Sequence, residues 1–160
     1  MATDAHTRSQ LKLEYDNGLE IWVNGSKEES WKTPHAVLPP SGYYAKLPDG
    51  ELEVFSAVKN GERGDYVSSP AYDFIDGRGN WLETSFGATD KQLIILKKED
   101  GTKEIIPYET EKFALVLDKK PESVVVLDKE RNKIGETTAE RKGRMYHIKP
   151  VKGAFSYLLE

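Results

Sequence analysis

Hydrophobic and polar residues alternate along most of this chain. In residues 11–15 (LKLEY), Leu11, Leu13 and Tyr15 share one side. In residues 19–23 (LEIWV), Leu19, Ile21 and Val23 share one side and leave Glu20 and Trp22 on the other. A period of two is the signature of a strand with two different faces. Further short runs predict strands near 36–38, 42–47, 52–58, 64–67, 81–86, 92–97, 103–107, 112–117, 123–128, 132–138, 144–149 and 154–159. Turn residues separate them: DNG at 16–18, NG at 24–25, PDG at 48–50, NGERG at 60–64, DGRGN at 76–80 and EDG at 99–101. Asn-Gly and Asp-Gly supply the positive φ angles that two-residue hairpin turns require. No window carries a sustained apolar face at helical spacing. The polar segment TTAERKGRM (137–145) reads as a turn or irregular link. The pattern therefore predicts an all-β chain: a two-sheet antiparallel β-sandwich, Ig-like or jelly-roll-like, with little or no helix. Residues 1–10 read as a disordered leader and 11–160 as one sandwich domain, with a sub-boundary near 98–104, past which no tryptophan occurs.

Composition narrows the function classes. At 160 residues the chain is long enough to bury a core without staples. A net charge of -4 disfavours nucleic-acid binding through a general basic field. No apolar run approaches the roughly 18 residues of a membrane span, so no membrane insertion is expected. With no cysteine, disulfides, thiol nucleophiles and cysteine metal sites are excluded. The opening MATDAHTRSQ lacks the apolar stretch of a signal peptide.

Motifs for catalysis are missing. His6, His35 and His147 are scattered, and no nucleophile elbow, paired-histidine zinc motif or phosphate loop is present. The chain therefore reads as a non-enzyme. The acidic stretch YDFIDGRGNW offers Asp73, Asp76 and Asn80 as hard oxygen ligands for calcium, which takes six to eight such oxygens from a sharply turning loop. The bland alternative is a tight turn in which Asp and Gly serve the backbone. Arg63-Gly64-Asp65 spells an adhesion tripeptide, and Asn24-Gly25-Ser26 a glycosylation sequon; both read more simply as turns.

The aromatics carry most information. Trp22, Trp31, Trp81, Tyr43 and Tyr44, with Glu20, form a candidate glycan platform, because a flat ring stacks on a sugar face while a carboxylate bonds its hydroxyls. Against this, the SWKTPHAVLPPSGYY loop can lie over that sheet face and bury Trp22.

Three stretches in order, YDNGLEIWVNGSKEESWK, VLPPSGYYAK and GDYVSSPAYDFIDGRGNWLETSFG, resemble the C-terminal β-sandwich region of large bacterial glycoside-hydrolase-like proteins. The matching positions are Tyr15 to Asn24, Trp31, Leu38 to Tyr43 and Asp65 to Gly79, within residues 11 to 98. The resemblance implies a non-catalytic accessory module of a carbohydrate-active parent, exported to the periplasm or beyond. Its partners would be the parent's catalytic domain and a polysaccharide. Two alternatives stand beside it: an independent carbohydrate-binding module with a structural calcium, and a surface or adhesion-type interaction domain.

Overall fold

The structure, a computed structural model, describes residues 9–160. Most of the expected leader, including His6, lies outside the described residues, and Gln10 already opens the first strand. The chain is all-β, as the alternation predicts, and no helix occurs among the described residues. It forms two compact units that part between Pro70 and Ala71. The expected sub-boundary at 98–104 instead falls on a tight hairpin, where Lys98 N donates to Thr102 O at 3.0 Å.

The first unit is an antiparallel sheet with a flap. Its strands are β1 (Gln10–Glu14), β2 (Glu20–Asn24), β3 (Trp31–Lys32), β4 (Val37–Leu38), β5 (Tyr43–Lys46), β6 (Glu53–Lys59) and β7 (Glu62–Ser68). The order is β1-β2-β5-β6-β7, while β3 pairs with β4 and β4 reaches β6 through Val37 and Val58. The β6–β7 hairpin closes on Asn60 (φ 55°) and Gly61 (φ 84°), the two left-handed positions that its two-residue turn demands. Arg63-Gly64-Asp65 is therefore strand, not turn.

Register decides which side chains share a face. Lys12, Trp22, Tyr44, Phe55 and Tyr66 form one continuous row across β1, β2, β5, β6 and β7. Leu11, Val23, Tyr43, Ser56 and Asp65 form a row on the opposite face, beside Leu13, Ile21, Ala45, Val54 and Val67. The flap settles the question raised by Trp22. Tyr44, Phe55 and Tyr66 are buried, whereas Leu11, Leu13, Val23 and Tyr43 are exposed. The aliphatic face that alternation marks as core is open over β1, β2 and Tyr43 and closes only toward β6, where Ser56 is buried, and the face carrying Trp22 is the covered one.

The flap is pinned by polar groups. Asn24, fully buried, donates its side-chain amide to the carbonyls of Glu29 (2.8 Å), Leu38 (2.9 Å) and Pro39 (3.0 Å). The sequon asparagine is thus an interior clamp rather than a glycan acceptor. Arg63 donates to Pro40 O at 3.1 Å and to Ser56 Oγ at 2.9 Å. Gly42 lets this loop close. A Cβ there would sit 2.7 Å from Ser56 O and 2.8 Å from Pro39 O, both backbone atoms. Gly42→Ala should destabilise by about 2 kcal/mol through overpacking, read as a lower urea midpoint at unchanged m.

The second unit is a two-layer sandwich. One sheet runs β8-β11-β12-β18-β14-β15, with β8 (Tyr72–Asp76), β11 (Gln92–Lys97), β12 (Lys103–Tyr108), β14 (Val124–Leu127), β15 (Lys133–Thr137) and β18 (Ser156–Leu159). The other runs β16-β17-β13-β10-β9, with β9 (Leu82–Glu83), β10 (Gly87–Thr89), β13 (Phe113–Leu115), β16 (Ala139–Lys142) and β17 (Met145–Ile148). Ile75, Leu93, Ile95, Ile105, Val126 and Tyr157 from the first sheet meet Leu82, Phe113, Leu115, Tyr146 and Ile148 from the second in one core. The segment expected to be irregular forms β16 and its hairpin to β17, turning at Gly143 (φ 61°). Strand β16 is apolar only at Ala139 because it is an edge, where charge discourages pairing with other chains.

Candidate functional site

The covered face of the first unit gathers most of the sequence-predicted residues. Trp22 and Trp31 lie with ring centroids 5.4 Å apart, tilted by 54°. His35, from the segment between β3 and β4, meets Trp22 edge-on at 6.0 Å and stacks on Tyr44 at 4.9 Å and 12°. Glu20 Oε2 stands 3.4 Å from His35 Nε2. Lys12 lies over the outer edge of the cluster, its Nζ 4.8 Å from the Trp22 ring centre, and its ammonium bonds Glu14. That hydrogen bond holds Lys12 above its ordinary range. Trp22 is only half-buried, yet its Nε1 is buried with no hydrogen-bond partner among the described residues. A sugar-stacking tryptophan presents a free ring face and a usable N–H. This one has its ring between Lys12, Trp31 and His35.

Deeper along the same face is a pocket of 150 Å³ whose walls include Tyr44, Phe55, Tyr66, His35 and Glu53. The Tyr44 hydroxyl donates to Glu53 Oε1 at 2.9 Å, and the Tyr66 hydroxyl also bonds Glu53. Burial first, then the bond to this carboxylate, push both phenols far above their ordinary range. Both tyrosines therefore stay protonated donors at any physiological pH. Phe55 meets Tyr66 edge-to-face with centroids 3.9 Å apart. Sequence reasoning missed Glu53 and Phe55, and left His35 and Tyr66 outside the candidate platform. The turn signals at 48–50 and 60–61 carry the information, because they fix the register that puts Tyr44, Phe55 and Tyr66 in one row.

Two predicted platform residues stand elsewhere. Tyr43 lies on the opposite face, 41% exposed. Trp81 belongs to the second unit, where it is 39% exposed and stacks on His147 at 5.8 Å and 7°. Its Nε1 donates to Glu83 Oε1 at 3.1 Å. Trp81 and His147 line an open groove of 480 Å³ with Thr138, Glu140, Lys142 and Lys149.

The expected calcium ligands are not brought together. Tyr72–Asp76 is strand β8 rather than a loop, so Asp73 and Asp76, three apart, point to opposite faces. Asp73 is buried and takes the Lys97 ammonium at 2.7 Å. Asp76 accepts from Arg78 N at 2.8 Å and from Gln92 Nε2 at 3.0 Å. Asn80 is exposed in the turn that follows. No group of three or more metal-ligating His, Asp or Glu side chains occurs among the described residues.

Fold and site together describe an all-β chain with a flap-covered aromatic face, an open aliphatic face and an exposed tryptophan groove. Compared with known protein families, curated proteins and solved structures, it matches none.

Proposed function

We propose that this chain is a non-catalytic β-module of a carbohydrate-active parent protein, docked on a neighbouring domain through the open face of β1, β2 and β5. The observation that carries this reading is the contiguous exposure of Leu11 (50%), Leu13 (38%), Tyr15 (52%), Val23 (36%) and Tyr43 (41%) on that one face. A lone surface leucine is ordinary; an ordered row of them on a sheet marks a contact surface. The covered side carries the module's own flap, while Leu11, Leu13, Tyr15, Val23 and Tyr43 have no flap over them. The carbohydrate-active parent rests on the sequence resemblance.

The absence of native cysteine makes the test clean. Leu13→Cys in the isolated chain reacts with a bulky maleimide as fast as a control cysteine at exposed Glu51. In the parent protein, Leu13→Cys is protected several-fold and crosslinks to residues outside this chain. Equal reactivity in both settings removes the docking reading.

One observation favours glycan contact at a second place. The exposed Trp81 ring on its His147 support, in a groove with charged rims, has the shape of a sugar platform. A saturable fluorescence change with soluble polysaccharide, lost in Trp81→Ala but kept in Trp31→Ala, is the expected result there. A change lost in Trp31→Ala and kept in Trp81→Ala moves the contact to the flap.

A further inference from the structure

We propose that the 150 Å³ pocket between β5, β6 and β7 is a binding site for a quaternary methylammonium head group. Its walls combine aromatic surface from Tyr44, Phe55 and Tyr66, the Ala57 methyl, the His35 imidazole that stacks on Tyr44, and a single carboxylate, Glu53. Aromatic faces attract cations through their ring quadrupole, and the attraction grows when the cation leaves water. Two of the rings are strengthened for this. A phenol that donates its proton toward a carboxylate gains electron density in its ring, and Tyr44 and Tyr66 both bond Glu53. Because both phenols stay neutral, the anionic charge remains on Glu53, at the side of the pocket.

Size and hydrogen bonding choose among cations. A cavity of this volume takes a group of about benzene size, well below the roughly 300 Å³ at which drug-sized ligand pockets begin. A primary ammonium brings three N–H donors that must all find acceptors. Here two of the acceptor positions on Glu53 are already taken by tyrosine hydroxyls, and His35 is the one other side chain of the lining that can accept, its ring already stacked on Tyr44 and its Nε2 beside Glu20. A trimethylammonium group needs no acceptor and places methyls against the rings and Ala57. Lys59 stands at the rim as a fixed positive charge that works against any cation entering.

The test is a titration of the intact chain followed by ring-proton NMR. Choline and tetramethylammonium should shift the Tyr44, Phe55 and Tyr66 resonances saturably. The uncharged isostere 3,3-dimethylbutan-1-ol and methylammonium should not do so at the same concentrations. Glu53→Gln should weaken choline binding by at least about tenfold, and Lys59→Gln, at an exposed position that leaves the fold intact, should tighten it. The proposal is overturned if the uncharged isostere binds as well as choline, since the pocket is then merely apolar. It is equally overturned if no cation shifts these rings, or if Lys59→Gln and Glu53→Gln both bind choline as the unaltered chain does.

Discussion

Asn24→Leu lowers the unfolding free energy by about 4 kcal/mol and frees the flap. The substitution keeps side-chain volume close to constant, so the loss is polar rather than steric. It leaves the carbonyls of Glu29, Leu38 and Pro39 without the donor they share, and each unpaired buried group costs about 1–3 kcal/mol. Two readings check it. Urea denaturation should show the lower midpoint, and tryptophan emission should shift red in native buffer, because Trp31 and the loop it belongs to come off Trp22. Asn24→Asp should behave similarly, since a carboxylate offers no donor. A small loss, under about 1 kcal/mol, would mean that Arg63 and the β4 pairing hold the flap unaided.

Glu104→Gln has the second-largest effect, about 2–3 kcal/mol at neutral pH, and it depends on acid. Glu104 is 1% exposed on β12. It takes both guanidinium nitrogens of Arg131 at 3.0 and 2.9 Å, the Ser156 hydroxyl at 2.8 Å and, at 3.4 Å, the Lys98 ammonium. Burial pushes this carboxyl up, but the hydrogen bonds from Arg131 and Ser156, helped by the two positive charges, outweigh it and hold the group below its ordinary value of 4.5. A carboxylate with a depressed folded-state pKa stabilises fully above its unfolded value and loses that contribution as pH falls through the folded one. The unaltered chain should therefore lose stability below about pH 4.5 more steeply than Glu104→Gln, and the gap between them should close in acid. Removing one member of a buried charged set is expensive because the others keep their desolvation cost, though Arg131 is half in solvent and softens it. Thermal melts of both proteins between pH 3 and 7 read this directly. A gap that stays constant with pH would assign Glu104 a packing role only.

Strand and turn positions were legible because they are local properties. Asn60-Gly61 demands its hairpin, and Leu11 to Tyr15 alternates whatever lies above it. Burial was not local. Alternation says that β2 has two faces, but only the flap says which face is inside, and the flap is held by contacts from Asn24 to Leu38 and from Arg63 to Pro40. The Trp22 face is readable from the sequence as either platform or interior, and nothing in the sequence signals that Glu20 beside it reaches His35. The proposed calcium ligands are spread apart for a related reason. Asp73, Asp76 and Asn80 are close in sequence, but a strand separates neighbours onto alternate faces, and β8 was hidden by a run of turn-forming residues at its end. Likewise, Ala139 to Lys142 looks irregular because an edge strand with one apolar residue has almost no alternation to show. Trp81 and Trp22, joined in the sequence by residue type alone, belong to different compact units.

The central claim is that the first unit turns its aromatic row inward and its aliphatic row outward. Hydroxyl-radical footprinting of the intact chain, read residue by residue by mass spectrometry, tests it in one experiment. The expected result is rapid labelling of Leu11, Leu13, Tyr15 and Tyr43, with Tyr44, Phe55 and Tyr66 protected and Trp22 labelled far more slowly than Trp81. Fast labelling of Trp22 and Tyr44 together with protection of Leu11 and Leu13 would contradict it, and would put the sugar-facing platform back on this sheet.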